Sequence, residues 1–172
     1  MNVKQFHKCL YNCKKCQTLR QIDSPFIGIG NFNANIMFIG ERPGYQTRQR
    51  NGITFCGNKS GDFFLDNLAT VGINFCNAYF TNIVKCQTDN NVVPTECEIL
   101  NCITYLQKEI DLILPKMIVC VGKISEKYMK LINTNSTILH ILHPSFILRT
   151  GGIHSNYYNK WFNDLVKIGS MI

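Results

Sequence analysis

The chain has 172 residues, 45% hydrophobic and 17% charged, with 5 prolines and 12 glycines, a size and balance that fit one globular core and exclude a disordered or collagen-like chain. Its 18 Lys and Arg outweigh 11 Asp and Glu to leave a net charge of +7, which favours a polyanionic partner. No run approaches the ~18 apolar residues of a membrane span, and Met1 to Arg20 lacks the apolar core of a signal peptide, so a cytoplasmic, intracellular protein with no membrane partner is expected.

Residues 1–22 read as an N-terminal arm carrying Cys9, Cys13 and Cys16. Ala34 to Ile39, ending at Gly40, reads as a short strand buried on both faces, and a Gly-rich loop follows. Phe63, Phe64, Asn67, Leu68 and Val71 recur at helical spacing, with Ser60 as N-cap and Gly72 as stop. Asn77 to Val84 is a second strand. Thr95 and Glu98 make a capping box behind Pro94. Ile99, Cys102, Ile103, Leu106, Ile110 and Ile113 form one face of the helix that runs to Pro115. Met117 to Val121 is a third strand, Lys123 to Ile132 an amphipathic segment, and Thr137 to Leu142 a fourth strand. Tyr157, Trp161, Leu165 and Ile168 mark a closing helix.

Strands alternating with helices predict an α/β fold: a three-layer α/β/α domain over residues 1–172 with a central, mainly parallel four-stranded sheet. No repeat or linker divides it. Open parallel sheets bind ligands beyond the carboxyl ends of their strands. The segments there hold the unusual residues: Gly40-Glu41-Arg42-Pro43-Gly44, Asn82 with Lys85-Cys86, Gly122-Lys123, and His143-Pro144-Ser145.

Nine cysteines in a reducing compartment favour metal or cluster ligation over disulfides. Cys13 and Cys16 sit on one turn, Cys86 follows a strand, and Cys102 lies in the first turns of a helix. Four thiolates from three segments could enclose a [4Fe-4S] cluster or a zinc ion and tie the arm to the sheet end. Cys9 and Cys97 compete for ligand roles, while Cys56, Cys76 and Cys120 sit beside apolar residues as packed thiols. Cys9-x3-Cys13-x2-Cys16 also has the spacing found in radical S-adenosylmethionine enzymes. Lys15 stands where those usually carry an aromatic residue, and no Gly-Gly-Glu-like stretch follows.

The chain resembles the iron-sulfur, family 4 type of uracil-DNA glycosylase. Cys13-x2-Cys16, Gly40-Glu41-Arg42-Pro43-Gly44, Gly52-Ile53-Thr54-Phe55-Cys56-Gly57 with Ser60-Gly61, Thr81-Asn82-Ile83-Val84-Lys85-Cys86, Cys102, and His143-Pro144-Ser145-Phe146-Ile147-Leu148-Arg149 carry the likeness, in order along the chain. It implies a structural [4Fe-4S] cluster on Cys13, Cys16, Cys86 and Cys102. It also implies hydrolysis of the N-glycosidic bond of uracil in DNA, initiating base excision repair. Such chemistry extrudes the nucleotide, grips the base and stabilises charge on sugar and leaving group.

Each demand has a candidate. Phe55 would stack on the base, or else be a core residue. The Asn82 amide matches the uracil N3–H and O4 edge, its alternative being a turn asparagine. His143, restrained by Pro144, would donate to uracil O2. Glu41 would orient or deprotonate water and support an oxocarbenium-like sugar, its alternative being a cap or ion pair. Gly40, Arg42 and Gly44 bring backbone or guanidinium close to the base, and Ser145 faces it. Lys59, Lys85, Lys123, Arg149, Arg48 and Arg50 are candidate phosphate contacts, and Phe146 or Ile147 a wedge for the vacated stack. No well-placed lysine sits in the catalytic motifs, so lyase activity is not expected, and monomeric action is the simplest expectation.

Arg42 departs from the usual small residue of the first motif, Cys56 from a branched aliphatic, and an extra hairpin common between Lys123 and His143 is absent. These departures leave two alternatives: the same fold acting on another modified or deaminated base, or a non-catalytic nucleic-acid-binding protein that kept the cluster.

Overall fold

The structure, a computed structural model, describes residues 2–16, 25–44, 53–88 and 92–171. Arg48, Arg50, Gly52 and the last part of the arm lie outside the described residues. Helix α1 (Val3–Tyr11) opens the chain behind a capping box of Asn2 and Gln5, which the cysteine-dominated reading of the arm left without a helix. Strand β1 (Ile29–Gly30) is followed by β2 (Ile36–Gly40), α2 (Lys59–Thr70), β3 (Ala78–Asn82) and α3 (Glu96–Ile113). Then come β4 (Met117–Val121), α4 (Lys123–Met129), β5 (Thr137–Ile141), α5 (Pro144–Arg149), a single 3-10 turn at Gly152–His154, and α6 (Tyr158–Gly169).

The sheet has the order β1-β3-β2-β4-β5. The four predicted strands are its parallel part, with Gly40 opposite Asn82 and Val121 opposite Ile141. The fifth, β1, is a two-residue antiparallel edge on β3, too short to leave a periodic signal.

Side chains alternate across the pleat. Met37, Ile39, Tyr79, Ile118 and Cys120 meet Ile99, Leu106 and Ile110 of α3 and Tyr128 and Met129 of α4. Ile36, Phe38, Ala78, Phe80, Val119, Val121 and Ile141 meet Phe64 and Leu68 of α2, Ile147 of α5 and Trp161, Leu165 and Ile168 of α6. Both faces are therefore covered, which is why the strands read as continuous apolar runs. On the outside of α3, Phe6 and Leu10 of α1 pack on Tyr105.

Three local readings change. The N-cap of α2 is Asn58, whose side chain accepts the Gly61 N–H at 2.9 Å, while Ser60 lies inside the first turn and donates to Asn58. Cys76 is exposed in a turn organised by Asn74 and Asn77 rather than packed.

The third change removes a candidate phosphate contact. Lys85 is 1% exposed and forms an ion pair with the equally buried Glu109 of α3. Lys85 also donates to Thr81 Oγ1 at 2.6 Å, and Glu109 accepts from Thr81 Oγ1 (2.8 Å), Tyr79 Oη (2.7 Å) and the Gly28 N–H (3.2 Å). The charge faces the interior because a lysine at the end of a fully buried strand meets an acid already held by three donors, and a desolvated cation persists only when paired.

Candidate active site

The carboxyl ends of β2, β3 and β4 and the segment after β5 open onto one cleft of about 820 Å³. Glu41, Phe55, Asn82 and His143 line it together, each delivered by a different segment.

Gly40 forms the floor. A Cβ there would stand 2.5 Å from Asn82 Oδ1 and 2.7 Å from Phe55 Cζ, so only glycine lets the aromatic ring and the amide approach the strand end together. Phe55 has a left-handed backbone, φ 63°, a conformation that costs a non-glycine residue roughly 1–2 kcal/mol. Its ring is held edge-on by Phe64 and Phe80, with centroids at 5.3 and 6.2 Å. Its carbonyl sits where a side chain at position 61 would be, a Cβ on Gly61 falling 2.2 Å from that oxygen. The ring is thus half core and half cleft wall.

Asn82 is buried, and among the described residues no group hydrogen-bonds its side chain. That leaves a preset donor and acceptor for a ligand. The Glu41 carboxylate likewise has no hydrogen-bond partner among the described residues. Burial raises its pKa above the usual carboxylate range, and the neighbouring Arg42 charge works against that rise.

His143 is the N-cap of α5, and Pro144 occupies the first helical position. Its Nδ1 accepts the Ser145 N–H at 3.1 Å and lies 2.8 Å from Ser145 Oγ. Since Nδ1 must accept, the neutral ring carries its proton on Nε2. Burial, assisted by the Arg149 charge, lowers the ring's pKa to about 4, so this neutral form holds at physiological pH. Arg149 Nη1 donates to Ser145 Oγ at 3.2 Å, which makes Ser145 the fixture for the imidazole. Gly122, at φ +92°, passes under the ring: a Cβ there would lie 3.0 Å from His143 Cβ.

Lys59, Lys123 and Arg149 stand at the same cleft, as does Gly44, giving it a cationic rim. Arg42 lines it too, yet its guanidinium is turned onto Glu98 at 2.8 Å. Phe146 is not part of the lining; its ring packs on Tyr157 with centroids 5.0 Å apart. Ile147 is fully buried in the core.

On the far side of the β2–β3 end, Cys13, Cys16, Cys86 and Cys102 share one electrostatic field. Burial and the neighbouring thiols push Cys86 up to about 12 and raise Cys16 and Cys102 as well. Such a set is unfavourable as free thiolates and fits a cationic group that would hold them ionised. Asn101 Nδ2 donates to Cys16 Sγ at 3.6 Å, Tyr105 adjoins Cys13, and the Lys85 backbone adjoins Cys102. Among the described residues no group of three or more His, Cys, Asp or Glu is placed to hold a metal ion. An all-thiol set in a shared field suits iron-sulfur chemistry. Cys97 shares the Asn101 amide with Cys16, also at 3.6 Å, but is exposed, as is Cys9.

Sequence reading missed Asn101 and Tyr105, which looked like ordinary helix positions, and Glu109. The last left a signal, an acid on the apolar face of α3 between Leu106 and Ile110.

The sequence model of the uracil DNA glycosylase superfamily matches residues 27–166. The chain is 32% identical over 120 residues to the type-4 uracil-DNA glycosylase of Archaeoglobus fulgidus, covering 70% of this chain and 59% of that protein. To the type-4 uracil-DNA glycosylase of Sulfurisphaera tokodaii it is 34% identical over 129 residues, covering 74% and 58%. It thus spans about three fifths of the length of these curated relatives. Among solved structures, the solution structure of a candidate uracil DNA glycosylase from Methanosarcina acetivorans has a TM-score of 0.59, covering 84% of this chain and 96% of that one at 12% identity. That likeness is one of fold. Among the described residues no helix is long and apolar enough to cross a membrane.

Proposed function

Because this chain belongs to the uracil DNA glycosylase superfamily, we propose that it is a monofunctional enzyme that hydrolyses the N-glycosidic bond of uracil in DNA. The convergence of Phe55, Asn82, His143 and Glu41 on one cleft with a cationic rim supports the reading.

The uracil nucleotide leaves the stack and its base enters the cleft. Phe55 stacks on the base, a contact worth about 1–3 kcal/mol. The free Asn82 amide pairs with N3–H and O4, and cytosine presents the opposite pattern there. As the glycosidic bond lengthens, negative charge grows on the departing base, and His143 Nε2–H donates to O2. A neutral donor fixed beforehand stabilises that charge without reorganising. Glu41, ionised, supports the oxocarbenium-like sugar and orients the water that attacks it. No covalent bond to the enzyme forms. Lys59, Lys123 and Arg149 hold the flanking phosphates, and Gly40 and Gly44 keep the backbone close to the base.

Cys13, Cys16, Cys86 and Cys102 would hold a [4Fe-4S] cluster, whose contribution when bound is to tie the arm to the ends of β3 and α3. We assign the chain as one domain that works as a monomer inside the cell, on DNA produced by cytosine deamination. The reading in which a different altered base is the substrate leaned on Arg42 and on the absent hairpin, and the Glu98 pair takes away the first of these supports.

The test is incubation of anaerobically purified, iron-loaded protein with a labelled oligonucleotide carrying one uracil. Strand scission only after alkali is expected. Absence of abasic product on both single and double strands overturns the proposal.

A further inference from the structure

Nothing in the mechanism above uses the charge of Arg42, the residue that departs from the first motif of the relatives the sequence resembles. Its side chain is 4% exposed, with Nη2 donating to Glu98 Oε2 at 2.8 Å. Nε and Nη1 are buried without a hydrogen-bond partner. Two orphaned donors on a desolvated cation are costly, so their retention points to an acceptor that arrives with a bound group.

The backbone shows where that acceptor lies. Beyond the last strand pair, Ile83 N–H donates to the Gly40 carbonyl at 2.9 Å and Val84 N–H to the Glu41 carbonyl at 3.0 Å. This continued pairing brings Arg42 abreast of Val84 and Lys85, the residues that lead into Cys86. Asn101 donates to Cys16 Sγ at 3.6 Å, whereas among the described residues no hydrogen bond reaches Cys86 Sγ. A sulfur lacking a donor and a side chain with donors to spare thus lie on neighbouring segments. On the other side Arg42 adjoins Glu41. Its partner Glu98 accepts the Thr95 N–H at 2.8 Å through the same oxygen. That bond pins the pair to the first turn of α3, the helix bearing Asn101, Cys102 and Tyr105.

We propose that Arg42 is a positioning residue that couples the thiol quartet to the cleft: anchored by Glu98, it stands as a cation against the Glu41 carboxylate and gives its free N–H donors to the Cys86 corner of a bound cluster. This rests on the glycosylase reading with Glu41 as the water-side group. The Arg42 charge favours the ionised form of Glu41, as the placement requires. Lys59 of α2, Lys123 of α4, and His143 and Arg149 at α5 also face Glu41 across the cleft. Arg42 is the charged side chain adjoining it on its own loop.

The test compares wild type, Arg42→Met, Arg42→Gln and Arg42→Lys as iron-loaded holoenzymes. Two quantities are read: kcat/KM for uracil release against pH, and the midpoint potential of the cluster by spectroelectrochemical titration. Arg42→Met is expected to move the acid limb upward by about one pH unit, the size of a lost neighbouring charge. It should also make the potential more negative, since a cation and hydrogen bonds to sulfur favour the reduced cluster. Arg42→Lys should restore the limb but not the potential, because an ammonium lacks the planar fork of donors. An unmoved limb or an unmoved potential in fully loaded Arg42→Met overturns the coupling. Should Arg42→Met fail to take up iron, loaded Arg42→Gln decides, with the same two shifts expected and either one's absence overturning the proposal. A wild type that releases no uracil overturns the functional reading instead, and the potential alone then decides the contact between Arg42 and Cys86.

Discussion

Gly40 has no freedom to accept a side chain. Gly40→Ala is expected to displace either the Asn82 amide or the Phe55 ring, whose atoms stand 2.5 and 2.7 Å from the added carbon. Both sit in the base subsite, so uracil release should fall by at least about tenfold, the effect of some 1.4 kcal/mol at the transition state. Circular dichroism should stay that of the native fold; full activity would show that the subsite lies elsewhere. Glu41 and His143 titrate in an order that burial dictates. Glu41 is raised above its ordinary value while His143 is lowered to about 4, so on acidification the carboxylate is protonated before the ring. The acid limb of kcat/KM should therefore belong to Glu41 and vanish in Glu41→Gln along with most of the turnover. His143 leaves its mark on stability instead. Between 6.5 and about 4 the unfolded chain binds a proton that the folded ring refuses, so the stabilisation is present above 6.5 and lost as pH falls toward 4. His143→Gln should flatten that part of a denaturation-against-pH curve.

At the scale of elements, the ion pair of Lys85 and Glu109 joins the end of β3 to the middle of α3. It fixes the strand that presents Asn82 and the two segments that present Cys86 and Cys102. Removing one partner leaves the other charged and buried, so Glu109→Gln is expected to destabilise the fold by about 3–5 kcal/mol, read by urea denaturation. Replacement of both by apolar residues should cost far less. A loss under about 1 kcal/mol in the single variant would show the pair to be hydrated. This pair also marks how far the sequence could be read. Strands buried on both faces, the Thr95–Glu98 capping box and the strand-end loops were legible because periodicity and caps are local. So was the cleft set of Glu41, Asn82, Phe55 and His143, since each follows a strand or lies in a glycine-flanked loop. The direction in which Lys85 and Arg42 point was not legible, because a basic residue after a strand faces solvent or an inward acid according to partners 24 and 56 positions away. The burial of Ile147 and the packing of Phe146 against Tyr157 were hidden for the same reason: α6 decides them.

Over the whole molecule the net charge is +7, and Lys59, Lys123 and Arg149 stand around the cleft. If these hold phosphates of a duplex, Lys123→Ala should weaken DNA binding alike for all sequences. It should also lower the slope of log affinity against log salt by about 0.9. An unchanged slope would place Lys123 off the DNA path. The topology has a consequence for how the protein fails. His143 is delivered by β5, an edge strand whose Thr137, Ile138 and His140 are exposed, which pairs with β4 and is clipped to α6 by the Trp161 Nε1–H bond to the Leu142 carbonyl at 2.9 Å. Glu41 and Asn82 hang from central strands. Edge elements open at lower free energy than the core does, so warming detaches the electrophile while the scaffold, the cationic rim and the base-reading amide persist. On the glycosylase reading, the first casualty of heat is then turnover rather than shape, leaving a species that would still occupy lesions in DNA without clearing them.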